Sequence, residues 1–113
     1  MSSAVEAAAE ILDQRPDAVY VHPQWLASGL LRVARERGVA VPGDLVVSVG
    51  VDSHLARTSE PSLTAIDLDP TRTAREAVDL LLHRIRGGAP GRPRLIPSTL
   101  RPRASSVRSE ETA

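Results

Sequence analysis

The sequence predicts an α/β fold built on a parallel sheet flanked by helices, and three observations carry that expectation. Residues 17–22 and 45–51 are short runs that are apolar almost throughout rather than alternating, which suits strands buried on both faces. Between them Leu26, Leu30, Val33 and Ala34 fall on one helical stripe. A strand, a helix and a strand of these lengths make a right-handed parallel crossover.

The elements follow in order. Ser3, Ala4, Val5 and Glu6 have the form of a capping box, and behind it Val5, Ala8, Ala9 and Leu12 share a helical face. Pro16 disfavours helix at Arg15, so this first helix stops near Gln14. After the strand at 17–22, Pro23 suits a first helical turn, where its missing N–H is harmless. Gly38 is placed to end the helix that follows, and Pro42-Gly43 suits a tight turn. The strand at 45–51 leads into a polar stretch, 53–61, that reads as a loop with a short helical turn. A third extended segment covers 63–68. Asp69-Pro70 starts a helix with Asp as N-cap and Pro in first position. Ala74, Ala77, Val78, Leu81, Leu82 and Ile85 carry its apolar face until Gly87-Gly88. Residues 95–100 read as a last strand, at an edge because of Pro97. From Ala104 the polar sequence predicts a disordered tail, so the expected division is a domain over 1–103 and a tail over 104–113.

Composition excludes much. The 113 residues suffice for one small domain, and 14 basic and 14 acidic side chains leave no net charge. Nothing draws the chain electrostatically to nucleic acid or an anionic membrane. Every basic residue is arginine, so a P-loop lysine and a Schiff-base lysine are both excluded. The absence of cysteine excludes a disulfide, a thiolate nucleophile and Cys-ligated zinc, and fits a reducing, cytoplasmic setting. The N-terminus has no basic region followed by a long apolar run, so no signal peptide is expected. No apolar run is long enough to span a bilayer. Trp25 and Tyr20 are the only aromatics, so the core must be built from Val, Leu, Ile and Ala.

Ligands of open α/β sheets bind outside the carboxyl ends of the strands. Two such ends deliver polar groups here: His22 with Gln24, and Asp52 with Ser53 and His54. Trp25 stands one helical turn further in. A carboxylate accepts hydrogen bonds from neighbouring hydroxyls, and an indole offers a flat apolar face to a ring. Each residue also has a plainer role, since Asp52 can cap a turn and Trp25 can pack. A catalytic Ser-His-Asp arrangement is disfavoured: Gly-x-Ser-x-Gly is absent, and the consecutive Asp52, Ser53 and His54 cannot all point inward from one turn. Three histidines and scattered carboxylates show no metal-ligand spacing. The expectation is a binding module with no metal and no cofactor, and not an enzyme.

Four segments resemble one family, the effector-binding domain of LacI/GalR-type bacterial transcription regulators. Gly38-Val-Ala-Val-Pro-Gly-Asp44-Leu45 follows its Gly-hydrophobic-x-Val-Pro-x-Asp-hydrophobic pattern. Val49-Gly50-Val51-Asp52 follows Val-Gly-aromatic-Asp, with Val51 in place of the aromatic. Pro61-Ser-Leu-Thr64 follows Pro-x-Leu-Thr-Thr, and the segment 95–106 is similar to regulator C-termini. The resemblance runs from about Ala18 to Ser106. It implies part of a periplasmic-binding-protein-like (type I) sensor, whose two lobes close on a small-molecule effector, often a sugar or nucleoside. It implies Asp52 as an effector contact, with His22, Gln24 and Trp25 beside it. Pro23-Gln24 stands where members carry an Asn-Asp pair, and proline cannot supply that asparagine's hydrogen bonds. Members are homodimers, and the expectation is DNA contact only through a headpiece that these 113 residues do not match. The helix from Asp69 would belong to the other lobe. A periplasmic sugar-binding protein of the same architecture is the alternative.

Overall fold

In the computed structural model, which describes residues 2–108, the elements run α1 (Ser2–Asp13), β1 (Ala18–Val21), α2 (Leu26–Glu36), β2 (Val46–Val49), α3 (His54–Thr58), β3 (Thr64–Asp67), α4 (Pro70–Ile85) and β4 (Thr99–Arg101). The strands form one sheet in the order β1-β2-β3-β4. β1, β2 and β3 are parallel, as the sequence predicts. β4 departs from the expectation: only the end of the apolar run at 95–100 pairs, and it lies antiparallel to β3. The chain returns to the sheet beside the point where it left, with Asp67 opposite Thr99.

Local chemistry accounts for the boundaries. α1 begins one residue before the expected cap at Ser3, and ends where Arg15 takes a left-handed φ of 51° ahead of Pro16. Pro23 does not sit in the first turn of α2. It opens a separate turn, in which the Leu26 and Ala27 amides donate to the carbonyls of Pro23 and Gln24, and α2 begins at Leu26. Gly38 ends α2 at φ 71°, a conformation favourable to glycine, and the next amide, of Val39, reaches back to Ala34 O at 2.8 Å. Asp69 caps α4, its carboxylate accepting from Arg72 N at 3.2 Å.

One core joins α1, α2, α3 and a single face of the sheet. Ala8 and Leu12 meet Leu30, Leu31, Val33 and Ala34, and all of them close on Val21, Val47, Val49, Leu63 and Ala65. The register explains the set: Val21 pairs with Val49 and Val49 with Ala65, so one pleat face is continuous across three strands. On the opposite face Tyr20 is exposed, and Ser48 and Ile66 are half-buried.

The C-terminal segment contradicts the expectation of a tail disordered from 104. Below their first register pair, Ser48 with Thr64, β2 and β3 splay apart, and Ser105 fills the gap. Its hydroxyl accepts from Thr64 N at 2.9 Å and donates to Val47 O at 2.5 Å. Its backbone continues the ladder: Ser105 N donates to Ser62 O, and Val47 N donates to Ser105 O. Ser105 is fully buried, and Thr64 Oγ1 bonds Ser106 Oγ beside it. A segment with few apolar residues is thus ordered by hydrogen bonds. Residues 109–113 of the expected tail lie outside the described residues.

α4 stands apart. It has no buried residue, and its apolar face is open: Leu81 is 60% exposed and Ile85 69%. The radius of gyration, 18.5 Å, records this projection, since a compact chain of this length has about 13 Å. The apolar face is where the sequence places it, and nothing among the described residues covers it. Open apolar patches promote association. Leu81→Lys and Ile85→Lys are therefore expected to reduce self-association in sedimentation and dye binding, with stability changed by no more than about 0.5 kcal/mol. A loss of about 2 kcal/mol in either variant would mean that the side chain is buried.

Candidate functional site

The carboxyl ends of β1 and β2 set the candidate residues on one edge of the sheet. β2 ends at Val49, and the Gly50 position that follows is crowded from above. A side chain there would meet the Tyr20 hydroxyl and come within 2.8 Å of His22 Nδ1. Glycine at 50 is what lets these two side chains of the β1 end lie against the β2 end. Asp52 follows, and its amide donates to Ile66 O at 2.9 Å, fixing the turn against β3.

The Asp52 side chain is nine-tenths buried between two arginines. Arg103 approaches from the inside: its side chain is 18% exposed, and Nη1 lies 2.8 Å from Asp52 Oδ1 while donating to Leu63 O at 2.9 Å. Arg57, from α3, approaches from the solvent side, with Nη1 at 3.6 Å and a side chain 53% exposed. The short contact with Arg103 is one of charge and lacks the alignment of a hydrogen bond. Oδ1 is enclosed, yet no donor hydrogen is aimed at it. A buried carboxylate oxygen without a donor is uncommon enough to require a reason. A second pair lies close by, Arg101 Nη2 donating to Asp67 Oδ2 at 2.9 Å. The Arg101 guanidinium and the Asp69 amide hold the Asp67 carboxyl below the usual carboxylate range.

His22 sits at the β1 end over Gly50, and is exposed. Gln24 lies half-buried in the turn opened by Pro23. Trp25 immediately precedes α2 and is 56% exposed, free of the core. All three share the strand-end edge with Asp52, but no hydrogen bond or ion pair among the described residues ties them to it. Ser53 spends its hydroxyl on capping α3, accepting from Ala56 N at 3.2 Å, so it is not poised against His54. Arg57 and Arg103, which surround Asp52, escaped the sequence reading. Their separations from Asp52 fit no helical or strand period, and only the ordered C-terminal segment brings Arg103 in.

An apolar hollow of about 240 Å³ lies between α1 and β1, lined by Ala8, Ile11, Val19, Tyr20 and Leu30, and reaches the strand-end edge at His22. A groove of about 380 Å³ opens at the end of α4 beside His83 and Gly88, away from the strand ends. Among the described residues no group of three or more His, Asp or Glu is placed to hold a metal. No helix there is long and apolar enough to cross a membrane.

Residues 1–106 match the model of the periplasmic binding protein-like domain family. The chain is 37% identical over 87 residues to the HTH-type transcriptional regulator CelR of Thermobifida fusca, an alignment covering 75% of this chain and 26% of that protein. The chain thus spans about a quarter of that relative's length. Among solved structures, a LacI family transcriptional regulator from Bifidobacterium animalis subsp. lactis superposes with a TM-score of 0.86 at 30% identity, over 93% of this chain and 40% of that one. A transcriptional regulator CelR–cellobiose complex superposes with a TM-score of 0.79 at 34% identity, over 93% and 33%.

Proposed function

This chain belongs to the periplasmic-binding-protein-like family in the form found in LacI-type transcription regulators, and on that premise we propose that it is part of an effector-sensing domain in which Asp52 takes hydrogen bonds from a small polyhydroxylated molecule. The observation that carries the proposal is the state of Asp52. It stands past the carboxyl end of a parallel strand, nine-tenths buried, with an enclosed oxygen that has no donor. Arg103 and Arg57 hold it in its charged, acceptor form past the strand end, which suits it to take a hydrogen bond from a ligand hydroxyl. Trp25 offers an exposed flat face on the same edge, and His22 and Gln24 line it. The cellobiose in the CelR complex makes a sugar the first effector to test, with nucleosides second.

The reading is one of binding: Ser53 is committed to its cap, and among the described residues it makes no bond to a histidine. In this reading the protein works in the cytoplasm as a homodimer, and sequence-specific DNA contact is made by residues other than these. The zero net charge supports that division. A periplasmic sugar-binding role is less well supported, since the named relatives are transcription regulators.

The test is calorimetry of the chain against cellobiose, ribose and adenosine. Asp52→Ala is expected to weaken whichever of them binds by about 1–3 kcal/mol, the effect of leaving a polar ligand group unpaired. Unchanged affinity in the Asp52 variant would refute the assignment.

A further inference from the structure

We infer that Arg103 is the positioning residue of this site: it holds Asp52 Oδ1 and so turns the second oxygen, Oδ2, to the ligand without touching the ligand itself. The inference rests on the reading of Asp52 as a ligand residue. Both arginines beside that carboxylate approach the same atom, Oδ1. Oδ1 is enclosed, whereas Oδ2 is not, and Oδ2 accepts no hydrogen bond among the described residues. The two arginines are not equivalent. Arg57 is half-exposed, stands 3.6 Å away and rides on the five-residue helix α3. Arg103 is fixed at both ends. Its amide donates to Thr64 Oγ1 at 2.8 Å, and its carbonyl accepts from the same hydroxyl at 3.2 Å. Its Nη1 donates to Leu63 O at 2.9 Å. Two residues on, the buried Ser105 pins the segment between β2 and β3.

A carboxylate turns about its Cβ–Cγ bond, and its two oxygens lie on opposite sides of that bond. A cation held in place draws one oxygen and thereby sets the direction of the other. Here Nη1 aims a hydrogen at Leu63 O, and Oδ1 is drawn to it by charge alone. The orientation of Asp52 thus follows a guanidinium whose own place is set by backbone groups of β3 and of the ordered C-terminal segment. A ligand then meets an acceptor that is already directed, and binding need not freeze it. Ordering a free side chain at an interface weakens binding by about two- to tenfold.

The experiment is a double-mutant cycle read by calorimetry against cellobiose, ribose and adenosine. Arg103→Met is expected to weaken the compound that binds by about tenfold, and by no more than about twofold in the Asp52→Asn background, because Arg103 acts only through that carboxylate. Arg103→Lys restores the cation and is expected to recover most of the affinity. Arg103→Gln keeps a donor for Leu63 O and carries the same cycle if Arg103→Met does not fold. Leu12→Ala, a truncation in the core on α1, is expected to lower the unfolding midpoint and leave the affinity within about twofold. An equal loss in both backgrounds would make Arg103 a purely structural residue and overturn the inference. An unchanged affinity in Arg103→Met would overturn it too, and if binding then still depends on Asp52, the sensing role stands. If none of the three compounds binds, or if Asp52→Asn binds as the parent does, the inference falls together with the reading of Asp52.

Discussion

Replacing Ser105 by alanine is expected to lower the stability of the chain by about 2–4 kcal/mol, because two buried backbone groups lose their partner at roughly 1–3 kcal/mol each. The groups are the Thr64 amide and the Val47 carbonyl, on strands that have already separated at this point. Water cannot replace the hydroxyl, since the site is fully enclosed. Nor can the strands close, since the Ser105 backbone occupies the space between them through its bonds to Ser62 and Val47. Domains of this size have only about 5–15 kcal/mol in hand. Urea unfolding is the measurement, with the midpoint falling and the slope unchanged. A change within about 0.5 kcal/mol would place Ser105 on the surface and restore the disordered tail that the sequence predicts.

The second large effect is expected at Arg103. Arg103→Met strands the Asp52 carboxylate, nine-tenths buried, with only the distant Arg57, and removes the donor to Leu63 O. Breaking a buried pair from one side costs about 3–5 kcal/mol, and the residual exposure of Arg103 puts the expected loss near the lower end, about 3 kcal/mol. Asp52→Asn keeps the shape and removes the charge, so it should cost less. The double variant should recover part of the loss, since no buried charge then remains. Additive losses would mean that the two residues do not act on each other.

The sequence shows what depends on apolar pattern and local capping. The three parallel strands, the stripe of α2, the stop at Gly38 and the Asp69-Pro70 start of α4 all rest on spacing within one or two turns. Three features were not legible in those terms. Ser105 is buried by hydrogen bonding, and a burial of that kind leaves no apolar period to read. β4 takes its direction from where the chain re-enters the sheet, which is a long-range matter. Pro23 fits the first turn of a helix by its chemistry, yet the chain spends a separate turn there before α2 begins. At the site, Asp52 is visible from its position after a strand. Arg57 and Arg103 are not, because their pairing with it depends on α3 and on the ordered C-terminus.

The register of β3 and β4 has a topological consequence. Asp67 and Thr99 are partners, so residues 68–98 leave the sheet and come back through one doorway. No member of the core lies within that excursion. Its closure entropy therefore falls on the short β3–β4 ladder and on the Arg101–Asp67 bond that staples it. Mechanically α4 is a pendant arm on a two-strand stem, and a load applied to it reaches the rest of the molecule as tension on that stem. The first ladder residues to feel the tension are Asp67 and Thr99, then Arg101 at the end of β4. Arg103 lies two residues beyond the strand, so a pull on the arm runs along the segment that sets its guanidinium against the Asp52 carboxylate.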